Sequence, residues 1–224
     1  RITMEKQQAK HIVSTYDADL ENLKSMINEM GIMIEKQLFD SIKLLKQTNE
    51  EVIKRVIEDD QYVNNLEKKI RDFATKTLSK RQPLADDLRK ILVALKLSSS
   101  MERIGDHASN IAYRVSLAKE APINYDTDSV FRLGESVLKN LSMALTSYDQ
   151  DSKAIATTIP EEDKNIDLMY ETCFREHITL MMENPTKFIA YGTQMLFIAK
   201  DLERIGDLSK NISKEVIYSL KGKL

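Results

Sequence analysis

Glu102-Arg103-Ile104-Gly105-Asp106, followed by Asn110-Ile111, recurs 101 residues later as Glu203-Arg204-Ile205-Gly206-Asp207, followed by Asn211-Ile212. Both copies lie inside long stretches of helical periodicity and use two of the chain's six glycines. On a helix, Glu, Asp and Asn at i, i+4 and i+8 stand one above another. Two carboxylates one turn apart repel by about a few tenths of a kcal/mol, and a mid-helix glycine costs roughly 0.5–1 kcal/mol relative to alanine. A helix that carries both penalties twice calls for a compensating partner, and a cation is the simplest.

The repeat extends outward from the pentapeptide. Gly31, Ile34, Lys36 and Leu38 align with Gly134, Val137, Lys139 and Leu141 at an offset of 103, as do Asp60, Val63 and Asn64 with Asp163, Ile166 and Asp167. The change of offset from 103 to 101 places a small indel near Pro83 and Pro185. Punctuation divides each half into three helices, near 17–48, 50–80 and 84–119, then 127–150, 153–184 and 186–220. Asn49, Arg81-Gln82-Pro83 and Asn184-Pro185 supply breaks, and Ala121–Tyr125 reads as the linker between repeats. Pro160 suits a first helical position and offers an alternative start for the fifth helix. No segment alternates as a strand does. The fold expected is all-α, two tandem three-helix bundles spanning 14–119 and 125–220.

The motif carboxylates have partners. Leu97, Met101, Ile104, Ala108, Ile111 and Val115 form one apolar stripe, with Glu102 and Asp106 nearly opposite. Leu88, Leu95 and Glu102 are spaced by seven, as are Ile189, Leu196 and Glu203, which predicts a second buried line. Ile53, Ile57, Asp60 and Asn64 follow i, i+4, i+7 and i+11, and Ile159, Asp163 and Asp167 do likewise. Two helices can therefore bring acidic pairs together where their packed faces meet the surface. All-oxygen sets suit Mg²⁺, Ca²⁺, Mn²⁺ or ferric iron, whereas Zn²⁺ favours His or Cys.

Composition excludes several classes. A net charge of −2 and the lack of a basic cluster with interleaved aromatics argue against nucleic-acid binding. Cys173 is the single cysteine, so no internal disulfide forms, which fits a reducing compartment, and Cys173 is expected as a small core residue. The longest uncharged stretch, Phe188–Ala199, is too short to span a bilayer, and the N-terminal stretch lacks a signal-peptide hydrophobic region. A cytoplasmic location is expected. No nucleophile–base set, phosphate loop or dinucleotide loop is present, and the Glu-x2-His pairs of di-iron bundles are missing, so the chain is not expected to be an enzyme.

The doubled Leu/Met-Glu-Arg-Ile-Gly-Asp-x3-Asn-Ile core resembles the PhoU family of phosphate-uptake regulators. So do Asp87-Leu88-Arg89 after Pro83 and Tyr16-Asp17-Ala18-Asp19-Leu20 ahead of a long helix. The resemblance covers residues ~14–220. It implies two three-helix bundles, metal sites holding iron, zinc or another divalent ion, and a negative regulator of the phosphate regulon and of phosphate uptake. In that role the protein links the ATPase subunit of the phosphate ABC transporter to a phosphate-sensing histidine kinase, as a homodimer that meets the membrane only through its partners. Carried over by position, one metal set is Glu102 and Asp106 with Asp60 and Asn64. The other is Glu203 and Asp207 with Asp163 and Asp167. Asn64 stands where the family usually has Asp, and Ser100 where the second copy has Asp201, so carboxylate count gives the second site the stronger pull.

The alternative is a metal-free structural helical interaction module. Arg103 and Arg204 are expected as ion-pair partners that limit carboxylate repulsion, Asn110 and Asn211 as helix–helix hydrogen bonders, and His107 as a surface histidine.

Overall fold

The computed structural model describes residues 2–81, 85–118, 121–123 and 125–221, the side chains of 2–16 and 81 excepted. The described residues form six helices and no strand: α1 Ile2–Leu44, α2 Glu50–Arg81, α3 Ala85–Ala118, α4 Asp128–Asp149, α5 Lys153–Glu183 and α6 Pro185–Ser219.

Local chemistry starts the helices where the punctuation predicts. Asn49 Oδ1 accepts from the backbone N–H of Glu51 (2.9 Å) and Val52 (3.1 Å) ahead of α2. Ser152 caps α5 through Ile155 N, and Asn184 caps α6 through Lys187 N with Pro185 at the first position. Two boundaries differ from expectation, both on the first helix. The first helix begins by Ile2 rather than near 17 and ends at Leu44 rather than 48. The fifth runs unbroken from Lys153, so Pro160 lies inside it instead of opening it. A proline in the second turn forfeits one backbone hydrogen bond, a loss the rest of this 31-residue helix outweighs. The break near Pro83 falls on residues outside those described.

α1, α2 and α3 pack together, α4, α5 and α6 do the same, and the two sets meet where α3 packs on α6 and α1 on α4. This junction has pseudo-two-fold symmetry. A Cβ on Gly31 would lie 3.1 Å from Leu145 Cδ2, and one on Gly134 would lie 2.9 Å from Ile42 Cγ1. Gly31 and Gly134 are repeat equivalents, and so are Ile42 and Leu145. The same reciprocity joins α3 to α6: the Arg114 guanidinium sits 4.4 Å from the Phe197 ring centre, while Lys96 pairs with Glu215 at 3.0 Å. Arg114 and Glu215 occupy matching positions, as do Lys96 and Phe197. These contacts of one repeat on the other thus have mirror contacts, alike in chemistry at the glycines and different at Arg114 and Lys96, the arrangement of an isologous dimer made within one chain.

The α3 stripe Leu97, Met101, Ile104, Ala108, Ile111 and Val115 is fully buried, as expected. The second line is not continuous: Leu88 and Ile189 are exposed. On α2 the buried line runs through Val56 and Val63 rather than Ile57, which is exposed, and Asp60 lies between those two valines.

Candidate metal centre

In the first repeat, α2 and α3 bring Asp60, Asn64, Glu102 and Asp106 to one place. Asn64 Nδ2 donates to Asp60 Oδ2 at 3.3 Å. Burial, then the Asp106 charge, push the Asp60 carboxyl above its ordinary pKa against the lowering effect of the Asn64 bond. Burial also raises Glu102, followed by repulsion from Asp106, Glu67 and Asp60, with Arg103 opposing. The carboxylates therefore crowd one another, the electrostatic mark of a cation-seeking cluster.

Two further residues join this set. Gln37, buried on α1, donates from Nε2 to Val56 O at 3.2 Å, which turns its carbonyl oxygen toward α3. A Cβ on Gly105 would lie 3.2 Å from both Asp60 Oδ1 and Gln37 Oε1. Glycine thus lets the α3 backbone come down onto two oxygens that a Cβ would push aside. Glu67, one turn beyond Asn64, is the second addition, half-buried and paired with Arg71 at 3.1 Å. Sequence reasoning missed both residues. The offset alignment held the signal for Gln37, which stands opposite another amide, Asn140.

Gln37 Oε1, Asp60 Oδ1 and Asn64 Oδ1 are all buried without a hydrogen-bond partner. A buried acceptor left unpaired costs about 1–3 kcal/mol. The two amide oxygens together with the three carboxylates Asp60, Glu102 and Asp106 form a hard-donor set that fits Mg²⁺, Mn²⁺, Ca²⁺ or ferric iron and lacks the His or Cys that Zn²⁺ favours. Among the described residues, no three His, Cys, Asp or Glu side chains already converge at metal-holding distance. A cation held here would draw on the amide oxygens and would need Glu102 and the exposed Asp106 to rotate toward it.

The second repeat assembles its predicted residues differently. Asp163 is buried, Glu203 and Asp207 half-buried, and Asp167 exposed. Burial and then Asp163 raise the Asp167 carboxyl, with smaller contributions from Asp207 and Glu203 and an opposing one from Lys210. Lys210 was absent from the sequence expectation. Its ammonium donates to Asp163 Oδ2 and, at 3.0 Å, to Asp207 Oδ1. Burial alone would lower the Lys210 pKa, but these two bonds outweigh it and hold the group well above its usual range. Lys200 pairs with Glu203 at 2.7 Å, and Arg204 lies 3.9 Å from Asp207 and from Glu203.

Other expectations resolve individually. Asn110 and Asn211 are exposed and do not join helices. His107 is half-buried, not a surface group: its Nδ1 lies 2.9 Å from Asp201, which also accepts from Arg114 Nε at 3.0 Å. Asp201 thus ties α3 to α6 and stands apart from the carboxylate sets. Cys173 is buried, as expected.

Comparison with known proteins agrees with the fold and the doubled motif. The PhoU domain model matches twice, at residues 27–115 and 130–216. A protein of Rhizobium meliloti named as a phosphate-specific transport system accessory protein PhoU homolog is 36% identical across 95% of this chain and 90% of its own length. A Pseudomonas aeruginosa protein of the same name is 34% identical across 95% of this chain and 88% of its own length. The crystal structure of PhoU from Pseudomonas aeruginosa superposes with a TM-score of 0.88, covering 92% of this chain and 99% of that one at 34% identity. The phosphate transport system regulatory protein PhoU from Streptococcus pneumoniae gives 0.85 at 26% identity, covering 92% of this chain and 97% of that one. With both motif copies seated in matching three-helix units and both units matched by one domain model, this chain belongs to the PhoU family.

Proposed function

We propose that this protein is an accessory component of phosphate-specific transport that restrains phosphate uptake and represses the phosphate regulon. It acts by binding rather than by catalysis, as a cytoplasmic adaptor between the transporter's ATPase subunit and a phosphate-sensing histidine kinase, and it works as a homodimer. The observation that carries this reading is end-to-end similarity to relatives that bear the accessory-protein name. No described helix is long and apolar enough to cross a membrane, so contact with a transporter would run through its subunits.

The first-repeat cluster would hold a hard cation between α2 and α3. Asp60, Glu102 and Asp106 supply charge, Gln37 and Asn64 supply neutral oxygens, and Gly105 keeps the approach open. A bound cation would relieve the mutual repulsion of these carboxylates and tie the two helices together.

The test is a deletion strain grown in plentiful phosphate. Expression of phosphate-scavenging genes should rise, and tagged protein from the parent strain should recover the transporter ATPase and the kinase. Normal repression in the deletion strain rejects the regulatory role; recovery of neither partner rejects the adaptor role.

A further inference from the structure

The two repeats share one carboxylate scaffold but not one charge state. In the first, no lysine among the described residues pairs with the cluster, and Ser109 stands at the position equivalent to Lys210. In the second, Lys210 sits between Asp163 and Asp207, with Asp163's side chain 3% exposed and Lys210's 24%. Glu203 and Asp207 have further cationic neighbours in Lys200 and Arg204. Among the described residues, the cations beside the first cluster are Arg103 near Glu102 and Arg71 on Glu67.

We propose that the Lys210 ammonium is the resident cation of the second repeat, so that this chain carries one exchangeable cation site and one closed by its own side chain. The assignment of Lys210 stands apart from the metal reading of the first repeat, whereas the contrast between the two repeats rests on it. Three observations carry it. Lys210 Nζ bonds carboxylates from both helices that frame the site, Asp163 on α5 and Asp207 on α6, which is the bridging role a metal ion would fill. One of those carboxylates is buried, and a buried ionised carboxylate needs a partner at all times, so the ammonium cannot swing away without leaving it uncompensated. Being covalently tethered, the ammonium competes at a high effective concentration that a dilute cation must overcome. Counting carboxylates ranked the second site above the first; counting Lys210, Lys200 and Arg204 as well reverses that order. One consequence is a division of labour: the first repeat can respond to metal supply, while the second holds its α5–α6 geometry whatever the supply.

The experiment exchanges the two residues. Purified full-length protein stripped with chelator is titrated with Mn²⁺ alone, and bound metal per chain is read by calorimetry and elemental analysis, with melting temperature as a second readout. Lys210→Ser should gain a Mn²⁺ equivalent that disappears again when Asp163→Asn is added. The reciprocal Ser109→Lys should raise the melting temperature of the metal-free protein and abolish the rise that Mn²⁺ gives the parent. If Lys210→Ser refolds only with Mn²⁺ present, that rescue supports the assignment, and failure of Mn²⁺ to rescue it overturns the assignment. A Lys210→Ser protein that folds and gains no Mn²⁺ also overturns it, as does a parent protein that loses bound Mn²⁺ on Asp163→Asn. A parent that binds no Mn²⁺ while Lys210→Ser binds it would refute the first-site reading and leave the lysine assignment standing.

Discussion

The Tyr125 hydroxyl lies 2.8 Å from His177 Nδ1, joining the segment between the repeats to the interior of α5. The two rings stack at 5.5 Å with an interplanar angle of 8°, and Phe188 and Tyr191 meet Tyr125 edge-on. A Cβ on Gly192 would reach within 2.7 Å of the Tyr125 oxygen, so α6 supplies a glycine to seat it. Tyr125, at the end of the connection between the two halves, is therefore packed into the second repeat.

This clasp predicts an acid-sensitive component of stability. His177 is fully buried and its Nε2 has no partner. Burial pushes its pKa below the ordinary 6.5 despite the opposing charges of Glu176 and Asp126. A folded-state value below the unfolded one gives stability that is complete above the unfolded pKa and lost as pH falls through the folded value. Melting temperature should fall between about pH 7 and about pH 5 more steeply in the parent than in His177→Phe, which has nothing to protonate. Parallel curves would remove His177 as the cause.

Asp60 predicts the opposite sign. Its pKa is raised from 3.8 by burial and by Asp106, so its contribution is present below the unfolded value and lost as pH rises through the folded one. At neutral pH the ionised carboxylate is a net cost to the metal-free protein. Asp60→Asn should raise the metal-free melting temperature by about 2–4 °C, the shift expected of about 1 kcal/mol in a chain of this size. It should also weaken the stabilisation that Mn²⁺ gives. A metal-free melting temperature that falls would contradict the crowding of Asp60, Glu102 and Asp106.

Gly105 separates propensity from site geometry. Alanine is better than glycine in a helix interior by about 0.5–1 kcal/mol, so Gly105→Ala on a bare helix would stabilise. Here its Cβ would come within 3.2 Å of Asp60 Oδ1 and Gln37 Oε1 and 3.3 Å of Val63 Cγ1. The expected outcome is a folded protein with less than the full propensity gain and at least a tenfold weaker Mn²⁺ affinity, about 1.4 kcal/mol. An unchanged affinity in calorimetry would show that the close approach serves packing only.

The sequence disclosed the helices, the repeat and both carboxylate sets because those features are periodic or duplicated. Ile104, Ile111 and Leu97 mark their face by spacing alone, and the matched pentapeptides mark each other. Single, unduplicated residues stayed hidden. Gln37 reaches the first site from a third helix and is marked only by its match to another amide, Asn140, while Lys210 enters the second from a position where the other copy has serine, so periodicity selects neither and internal matching cannot select Lys210. The alternative start at Pro160 fails while the start at 153 holds: helix-start chemistry is local, whereas the continuity of α5 is set by the packing of its whole length. His107 was misread as a surface group because its partner, Asp201, lies on the other repeat.

Asp201 is the last test of how the halves are held. It is 8% exposed and accepts from Arg114 Nε on α3 while His107 Nδ1 lies 2.9 Å from its other oxygen. Arg114 also lies over Phe197 of α6, so one side chain bridges the junction by charge and by ring contact. Removing one partner of a fully buried ion pair costs about 3–5 kcal/mol; the partial exposure of Arg114 and His107 reduces this to about 2 kcal/mol for Asp201→Ala. Because the remaining cost is an arginine left facing a buried, partnerless surface, Arg114→Met should recover part of it in the double mutant. Denaturant titration of the two single mutants and the double mutant gives the coupling directly, expected at about 1 kcal/mol. Glu215→Ala breaks the pseudo-symmetric pair with Lys96, whose lysine is mostly exposed, and should cost no more than about 0.5 kcal/mol. Equal losses at Asp201 and Glu215, or additive losses at Asp201 and Arg114, would mean that apolar contacts alone hold α3 against α6.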